Sequence, residues 1–430
     1  MERKDLLPEL RFVNFSDSWH MSNIDSILHE YRLGGNYKNS NKKTPFPLIK
    51  MGNINRGNIS LEKLEYISEG ETIDNNHKIN YGDLFFNTRN TLELVGKVAI
   101  WRNELPIAYY NSNLLYIKFD NNFFINYLLN SFRCLKELRR VATGTTSVAA
   151  IYTRDFLKIK IYTPSLPEQQ KIASFLSSVD RKIELLKKKK ARLEEYKKGV
   201  MQKLFPSTSS GPSPKDSNPN PEWRFKDENG NDYPDWEVKK LGEIGEFKTS
   251  SVNKKINDDE ELVFLVNYMN VYNHESITSK NIENLMKVSA SQSQIKTNNL
   301  KKGDILFTPS SETPEDIGHS VVIFEDLKNT LYSYHLMRFR PIIEMDILYS
   351  HYFCNTPDIL RQISRFATGS TRFTISVDSF SKIKVHLPDT REQQKIANFL
   401  TSIDSKIEKI NTQIEATKQF KKGLLQKMFV

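Results

Sequence analysis

Hydrophobic residues recur at alternating spacings of three and four in two segments of the chain. In the first segment the seam is Ile172, Leu176, Val179, Ile183, Leu186, Leu193, Val200 and Leu204, with Lys190 and Lys197 at the two remaining seam positions. In the second it is Ile396, Leu400, Ile403, Ile407, Ile410, Ile414, Thr417, Lys421, Leu424 and Met428. Such spacing puts one apolar stripe on a helix and predicts a coiled-coil seam of about five heptads. Both helices open on a cap signal: Ser165 stands three residues before Glu168, and Asp389 three before Glu392. At 1.5 Å per residue each helix would run roughly 55 Å. A helix of this kind cannot bury its own seam. The other copy is the matched partner, and a second chain is the alternative. Antiparallel pairing would put the two preceding domains at opposite ends of a rod. Gly199 and Gly423 interrupt otherwise helical runs. They predict either a close backbone approach or a kink, at ~1 kcal/mol each relative to alanine.

The two segments are copies. EQQKIA occurs at Glu168–Ala173 and again at Glu392–Ala397, and KKGVMQKLF from Lys197 to Phe205 matches KKGLLQKMF from Lys421 to Phe429. The duplication reaches further back. Pro8-Glu9-Leu10-Arg11-Phe12 returns as Pro221-Glu222-Trp223-Arg224-Phe225, and Asp17-Ser18-Trp19 is echoed by Pro234-Asp235-Trp236. Pro206–Pro221, rich in Pro, Ser and Asn, reads as a linker between the halves. Each half therefore holds a globular region before its long helix. Strand-like runs at Asn113–Phe119 and Ser320–Phe324, with a helical run at Phe123–Val141, make these regions mixed α and β. They diverge in sequence but share punctuation. Gly82-Asp83-Leu84-Phe85-Phe86 answers to Gly303-Asp304-Ile305-Leu306-Phe307, and LKELRRVATGTT from Leu135 answers to LRQISRFATGST from Leu360.

The expected fold is α+β and pseudo-two-fold: two mixed α/β domains joined by two long helices in an antiparallel coiled coil. The boundaries are 1–164 for the first domain, 165–205 for the first helix, 206–221 for the linker, 222–388 for the second domain and 389–430 for the second helix.

Charge adds a partner class. The chain carries a formal net charge of +10. Glu168–Leu204 holds 11 basic and 5 acidic residues, and Arg391–Met428 holds 8 and 4, so the helices account for the whole excess. A concentrated basic excess points to a polyanion, while a solvated helical face is the plainer reading. No apolar run is long enough to span a bilayer, and MERKDLLPEL does not read as a signal peptide. The two cysteines, Cys134 and Cys354, fall at unmatched places, which argues against a disulfide framework or zinc site and suits a reducing cytoplasm. Cofactor-loop, P-loop, zinc-protease, paired CxxC and nucleophile-elbow motifs are missing, as is Asn/Asp-Pro-Pro-aromatic.

In its duplicated order of motifs the chain resembles the specificity subunits of type I restriction–modification systems. The resemblance rests on two divergent domains, each with a Trp-containing start, a Gly-Asp-Ile/Leu-x-Phe strand, a Thr-Gly-Ser/Thr-Thr loop, and a Pro-x-x-x-Glu-Gln-Gln-Lys-Ile-Ala helix after Pro164 or Pro388. It implies two target-recognition domains that each read one half of a bipartite, asymmetric site in double-stranded DNA, with the paired helices as spacer. It implies no chemistry and no cofactor in this chain. Two modification (methyltransferase) subunits using S-adenosylmethionine, and restriction (motor-nuclease) subunits using ATP and magnesium, would be its partners, away from any membrane. A coiled-coil scaffold without DNA specificity, or a stand-alone nuclease, are the rival readings.

Under that resemblance, side chains of the divergent loops would read base edges. The candidates are Lys50, Asn53, Thr88, Arg89, Asn90, Thr145 and Thr146 in the first half. In the second they are Asn267, Asn270, Thr308, Ser310, Ser311, Ser370, Thr371 and Arg372. Arg372 leads, because its guanidinium offers a bidentate donor fork in a Gly-Ser-Thr loop. Gln169, Gln170, Lys171, Gln393, Gln394 and Lys395, from the most alike parts of the halves, would bind the partner subunits.

Overall fold

The computed structural model describes residues 7–206 and 220–430; most of the expected linker at 206–221 lies outside the described residues. The chain divides into two compact units that cut across the sequence order. One takes residues up to Lys188 together with Asn411–Val430, and the other runs from Lys189 to Ile410. Among the described residues, no helix is long and apolar enough to cross a membrane.

The two long helices are Leu166–Leu204 and Thr390–Lys427. In the first unit the opening turns of the first helix, through Ile172, Leu176 and Val179, share a core with Leu424, Met428 and Phe429 from the end of the second. In the second unit Ile396, Leu400 and Ile403 share a core with Val200, Leu204 and Phe205. Start meets end in both, so the pairing within each unit is antiparallel. The helix ends do more than close a seam. Phe429 lies edge-on to Trp19 at 6.2 Å and beside Phe124 at 5.7 Å, and Phe205 lies against Tyr349 at 5.8 Å. Each helix thus ends as a plug in a domain core, which explains why the KKG segment recurs. Gly199 and Gly423 leave the helix unbroken, and a Cβ at either would meet nothing within 4 Å. The close approach expected there is not made.

The Pro-Glu-x-Arg-Phe repeat ties these helices to the domains, and the four residues after its proline are each used twice in the same way. The Leu10 amide donates to Lys427 O, and the Trp223 amide to Lys203 O, each at 2.9 Å. Glu9 pairs with Lys427 and Glu222 with Lys203. Phe12 packs edge-on to Phe175, and Phe225 to Phe399, both at 5.7 Å. Arg11 pairs with Glu168 and Arg224 with Glu392, each at 2.7 Å. Glu168 and Glu392 are almost wholly buried, and the hydrogen bond to its glutamate is the largest influence raising each guanidinium's pKa. The capping-box reading of those glutamates is therefore corrected: Asp389 does accept from the Arg391 amide, but Glu392 turns to Arg224 and to the Trp236 indole. A buried carboxylate takes the charged partner because desolvation makes an unpaired one costly.

Each domain is built on a four-stranded antiparallel sheet of matching strand order. In the first, an antiparallel sheet runs Glu30–Leu33, Leu114–Lys118, Leu84–Asn87, Val98–Ile100. In the second it runs Gly245–Thr249, Met337–Pro341, Ile305–Phe307, Ser320–Val322. The central strands Leu84–Asn87 and Ile305–Phe307 are buried throughout, as the Gly-Asp motifs predict. The motif aspartate fixes the turn that enters each strand: Asp83 accepts from the Asn80 amide and Asp304 from the Lys301 amide, both at 2.7 Å. A second sheet in each domain includes one parallel pair, Pro47–Ile49 with Tyr109–Tyr110, and Glu261–Val266 with Thr330–Tyr332. The helix expected over Phe123–Val141 is two helices, Asn122–Leu129 and Phe132–Val141. Ser131 breaks the run by capping the Cys134 amide.

Candidate nucleic-acid interface

In the first domain the buried strand Leu84–Asn87 runs into a two-residue polar strand, Arg89–Asn90. That strand pairs with Ala149–Ala150, which pairs in turn with Thr143–Gly144. In the second domain Ser310–Ser311 follows the buried strand and pairs with Phe373–Thr374. The clasp is the same in both: the Ile151 amide donates to Thr88 O at 2.9 Å, and the Ile375 amide to Pro309 O at 3.0 Å. Segments about 60 residues apart in sequence are thereby joined in one small sheet. The Thr-Gly-Ser/Thr-Thr loop is its hairpin, and the glycine is required there. Gly144 and Gly369 have φ of +123° and +144°, and a Cβ would fall 2.3 Å from Val148 O or 2.1 Å from Arg372 O.

The structure thus brings together Thr88, Arg89, Asn90, Thr145 and Thr146 in one domain, and Thr308, Ser310, Ser311, Ser370, Thr371 and Arg372 in the other. Their availability differs. Arg89, Thr145, Thr146, Ser370, Thr371 and Arg372 are exposed. The Arg89 guanidinium makes no hydrogen bond or ion pair among the described residues, and Arg372 donates to Ser310 Oγ at 3.0 Å. Thr88 donates to Asn113 O, and Asn90 accepts from the Thr91 amide. Thr308 is wholly enclosed, Ser310 and Ser311 are buried, and Ser311 Oγ is held by Thr313 O.

Lys50 and Asn53 do correspond to Asn267 and Asn270. The Lys50 amide donates to Asn53 Oδ1 and the Asn267 amide to Asn270 Oδ1, both at 2.9 Å. These asparagine side chains close a turn. Asn53 also donates to Ser60 O and Glu62 O, and Lys50 Nζ pairs with Glu65. Asn267 accepts from the Met269 amide, and Asn270 donates to Glu275.

Of the six glutamine and lysine candidates on the long helices, Gln169 and Gln393 donate to Pro164 O and Pro388 O, and Gln393 also accepts from the Asp346 amide. Lys395 donates to Lys226 O. Gln170, Gln394 and Lys171 remain exposed, with Lys171 Nζ over the Phe12 ring.

Two cationic groupings escaped the sequence reading. Arg56, Lys97 and Arg139 gather in the first domain: burial and then Arg139 lower the Arg56 pKa, and burial and then Arg56 lower that of Lys97. Arg56 donates to Glu93 O, in the loop that leaves Asn90. In the second domain His335 is lowered by burial, then by Lys254 and Arg372. Positions 56, 97 and 139 share no motif, so only the folded sheet could unite them; Arg139 alone lies in one of the repeated segments, LKELRRVATGTT.

Two like domains, each presenting a different polar hairpin on a shared scaffold, define a two-headed binding protein. The profile of the type I restriction modification DNA specificity domain matches residues 17–195 and 233–418, and the chain belongs to that family. It is a type I restriction–modification specificity subunit with two target-recognition domains. Over 424 residues it is 26% identical to a Methanocaldococcus jannaschii chain assigned as the specificity subunit of type I restriction enzyme MjaX, covering 94% of this chain and 91% of that one. Over 320 residues it is 27% identical to the MjaVIII specificity subunit of the same organism, covering 68% and 67%. In fold it is similar to the crystal structure of the type I S subunit from M. genitalium, with a TM-score of 0.54, 15% identity and 99% of both chains covered.

Proposed function

We propose that each target-recognition domain reads one half of a bipartite, asymmetric site in double-stranded DNA through its polar strand and hairpin. The supporting observation is the shared clasp carrying unlike side chains: Arg89, Asn90, Thr145 and Thr146 on one, Ser370, Thr371 and Arg372 on the other. Unlike readers on like scaffolds suit a site without a palindrome. Base edges in the major groove distinguish all four pairs, and an arginine fork matches guanine O6 and N7. The basic cluster of Arg56, Lys97 and Arg139, with the lysines of the long helices, would contact phosphate and add affinity without sequence information.

The chain itself would carry out no chemistry. Two modification subunits would dock on the duplicated helix starts, where Gln170, Lys171 and Gln394 remain exposed. They would bring S-adenosylmethionine to methylate adenine N6, and restriction subunits would bring ATP and magnesium. Cys134 and Cys354 are both buried free thiols, in keeping with the reducing cytoplasm.

The test is to exchange residues 1–164 for those of a relative and map N6-methyladenine in cells that co-express the modification subunit. One half of the methylated motif should change and the other persist. Simultaneous change of both halves would refute independent reading.

A further inference from the structure

The two recognition hairpins can be matched residue by residue from their backbone bonds. The clasp joins Ile151 to Thr88 and Ile375 to Pro309. One residue back, Ala150 pairs with Arg89 and with Thr143, and Thr374 pairs with Ser310 and with Thr368. At the turn, a Cβ on Gly144 would fall 2.3 Å from Val148 O, and one on Gly369 would fall 2.1 Å from Arg372 O. Val148 and Arg372 therefore occupy the same place, as do Arg89 and Ser310. The first hairpin is one residue longer and takes up the difference inside its turn. Thr145 Oγ1 lies 3.2 Å from Ser147 Oγ and accepts from the Val148 amide at 3.2 Å.

The two places share one face. Arg372 donates to Ser310 Oγ at 3.0 Å across the sheet, the diagonal reach of a long side chain between neighbouring strands. Each domain thus brings one guanidinium to the same point: Arg89 from the strand in the first, Arg372 from the hairpin in the second. Where the second domain has Arg372, the first has an apolar side chain. Val148 is 60% exposed, although its amide and carbonyl are both tied within the turn. The Leu92 amide donates to Thr146 O at 3.1 Å, which sets the exposed Leu92 beside the same hairpin. Cations surround this apolar point. Arg89 has no ion pair among the described residues, and Arg56 is bonded to the Glu93 carbonyl rather than to a carboxylate. Such a setting suits a polyanion that carries apolar groups, and it suits the apolar face of a protein poorly. Of the four bases, thymine alone offers a methyl group in the major groove.

We propose that Val148 is a specificity-determining residue of the first recognition domain, packing on the methyl group of a thymine at the place where Arg372 of the second domain meets its base. This rests on reading the hairpins as DNA contacts. An arginine in that place selects guanine through O6 and N7. A valine has neither donor nor acceptor, so it discriminates by shape and apolar contact alone. A thymine methyl is drawn out of water against Val148, and a cytosine in its stead leaves both the valine and the cytosine amine without a partner. Exchanging the residue at this place exchanges the base that the half-site requires.

The test uses the complex with its modification subunits and its mapped motif, the first domain's half being identified by the exchange of residues 1–164. Each thymine of that half-site is replaced in turn by deoxyuridine, which removes the methyl group and nothing else. In the wild type one replacement should weaken binding about fourfold, the effect of one methyl group returned to water. Val148→Ala should bind the thymine duplex more weakly and respond little to the same replacement. Val148→Arg should turn one position of that half-motif toward guanine in the methylation map. The other half-motif should persist in every variant, which reports that the chain is folded and assembled. The proposal falls if no replacement affects the wild type, if the full penalty persists in Val148→Ala, or if an active Val148→Arg complex keeps its half-motif unchanged. Should the exchange of residues 1–164 alter the half-motif while the Val148 variants do not, the DNA reading stands and the role of Val148 fails. Loss of bound modification subunit in Val148→Ala, with no thymine sensitive, would make the patch a protein contact and overturn the proposal as well.

Discussion

Lys197 and Lys421 sit on the apolar seams of the long helices, and each is held by an aspartate and a tyrosine. Lys197 Nζ lies 2.6 Å from Asp404 and 5.0 Å from the centre of the Tyr352 ring; Lys421 Nζ lies 2.5 Å from Asp180 and 5.5 Å from that of Tyr127. Each tyrosine donates to the same aspartate at 2.7 Å. Burial is the first cause raising both phenol pKa values, with the neighbouring aspartate adding to it. The two sites differ in one respect: Arg102 stands 3.7 Å from Asp180, whereas Lys197 is the one salt-bridge partner of Asp404 among the described residues. Lys197→Met should therefore destabilise its unit by about 2–3 kcal/mol and Lys421→Met by about half that, from the cost of stranding a part-buried charge. Urea unfolding followed by exchange in peptides of each unit would show the order, and equal losses would refute it. At the proposed interface, Arg372→Ala should weaken DNA binding by about tenfold or more, and Arg372→Lys should recover little, because an ammonium lacks the fork. Titration of the assembled complex with the cognate duplex would measure both.

At the scale of elements, the ends of the long helices matter more to the domains than to the seam. Leu424, Met428 and Phe429 belong to the core that contains Trp19, Phe124 and Leu128. Met428→Ala with Phe429→Ala should cost about 5–10 kcal/mol if the two large-to-small losses add. The damage should fall on the first unit, although the changed residues lie at the other end of the chain. Exchange protection should drop in residues 84–100 and hold in residues 305–322; uniform loss would contradict this placement. The small clasping sheets are the opposite case. They are two residues wide, rest on few backbone bonds and, through Arg89, Thr143 and Thr374, reach the surface, which suits surfaces that vary while the sheets beneath do not.

At the scale of the molecule, each unit uses part of both long helices. The two helices must therefore change length together if the seam is to stay in phase. One heptad is about 10.5 Å of helix, and DNA rises about 3.4 Å per base pair, so a heptad corresponds to roughly three base pairs. Deleting Ile183–Lys189 together with Ile407–Gln413 should preserve both half-sequences of the methylated motif and shorten the unread gap by about three base pairs, or less if the DNA deforms to fit. Methylation mapping reads this directly, and an unchanged gap in an active complex would exclude helix length as the determinant.

The periodicity of the sequence determined the long helices, because one apolar stripe of 3.5-residue period leaves a chain no other regular structure. The exact recurrence of EQQKIA, of the KKG segments and of the Pro-Glu-x-Arg-Phe starts determined that there are two like halves. The Gly-Asp turns announced the central strands, since a glycine–aspartate turn before an apolar run is a local signal. Local patterns could not say which charges meet. Arg11 with Glu168, Lys421 with Asp180, and Arg56 with Lys97 are separated by tens to hundreds of residues. A seam lysine likewise reads as a defect until its aspartate is seen. The recognition candidates show the same division. Their sequence marked them as polar turns, and only strand pairing set Arg89 and Arg372 on the surface while folding Asn53 and Thr308 inward. Burial and charge pairing are properties of neighbours in space, and the tertiary structure alone supplies those neighbours.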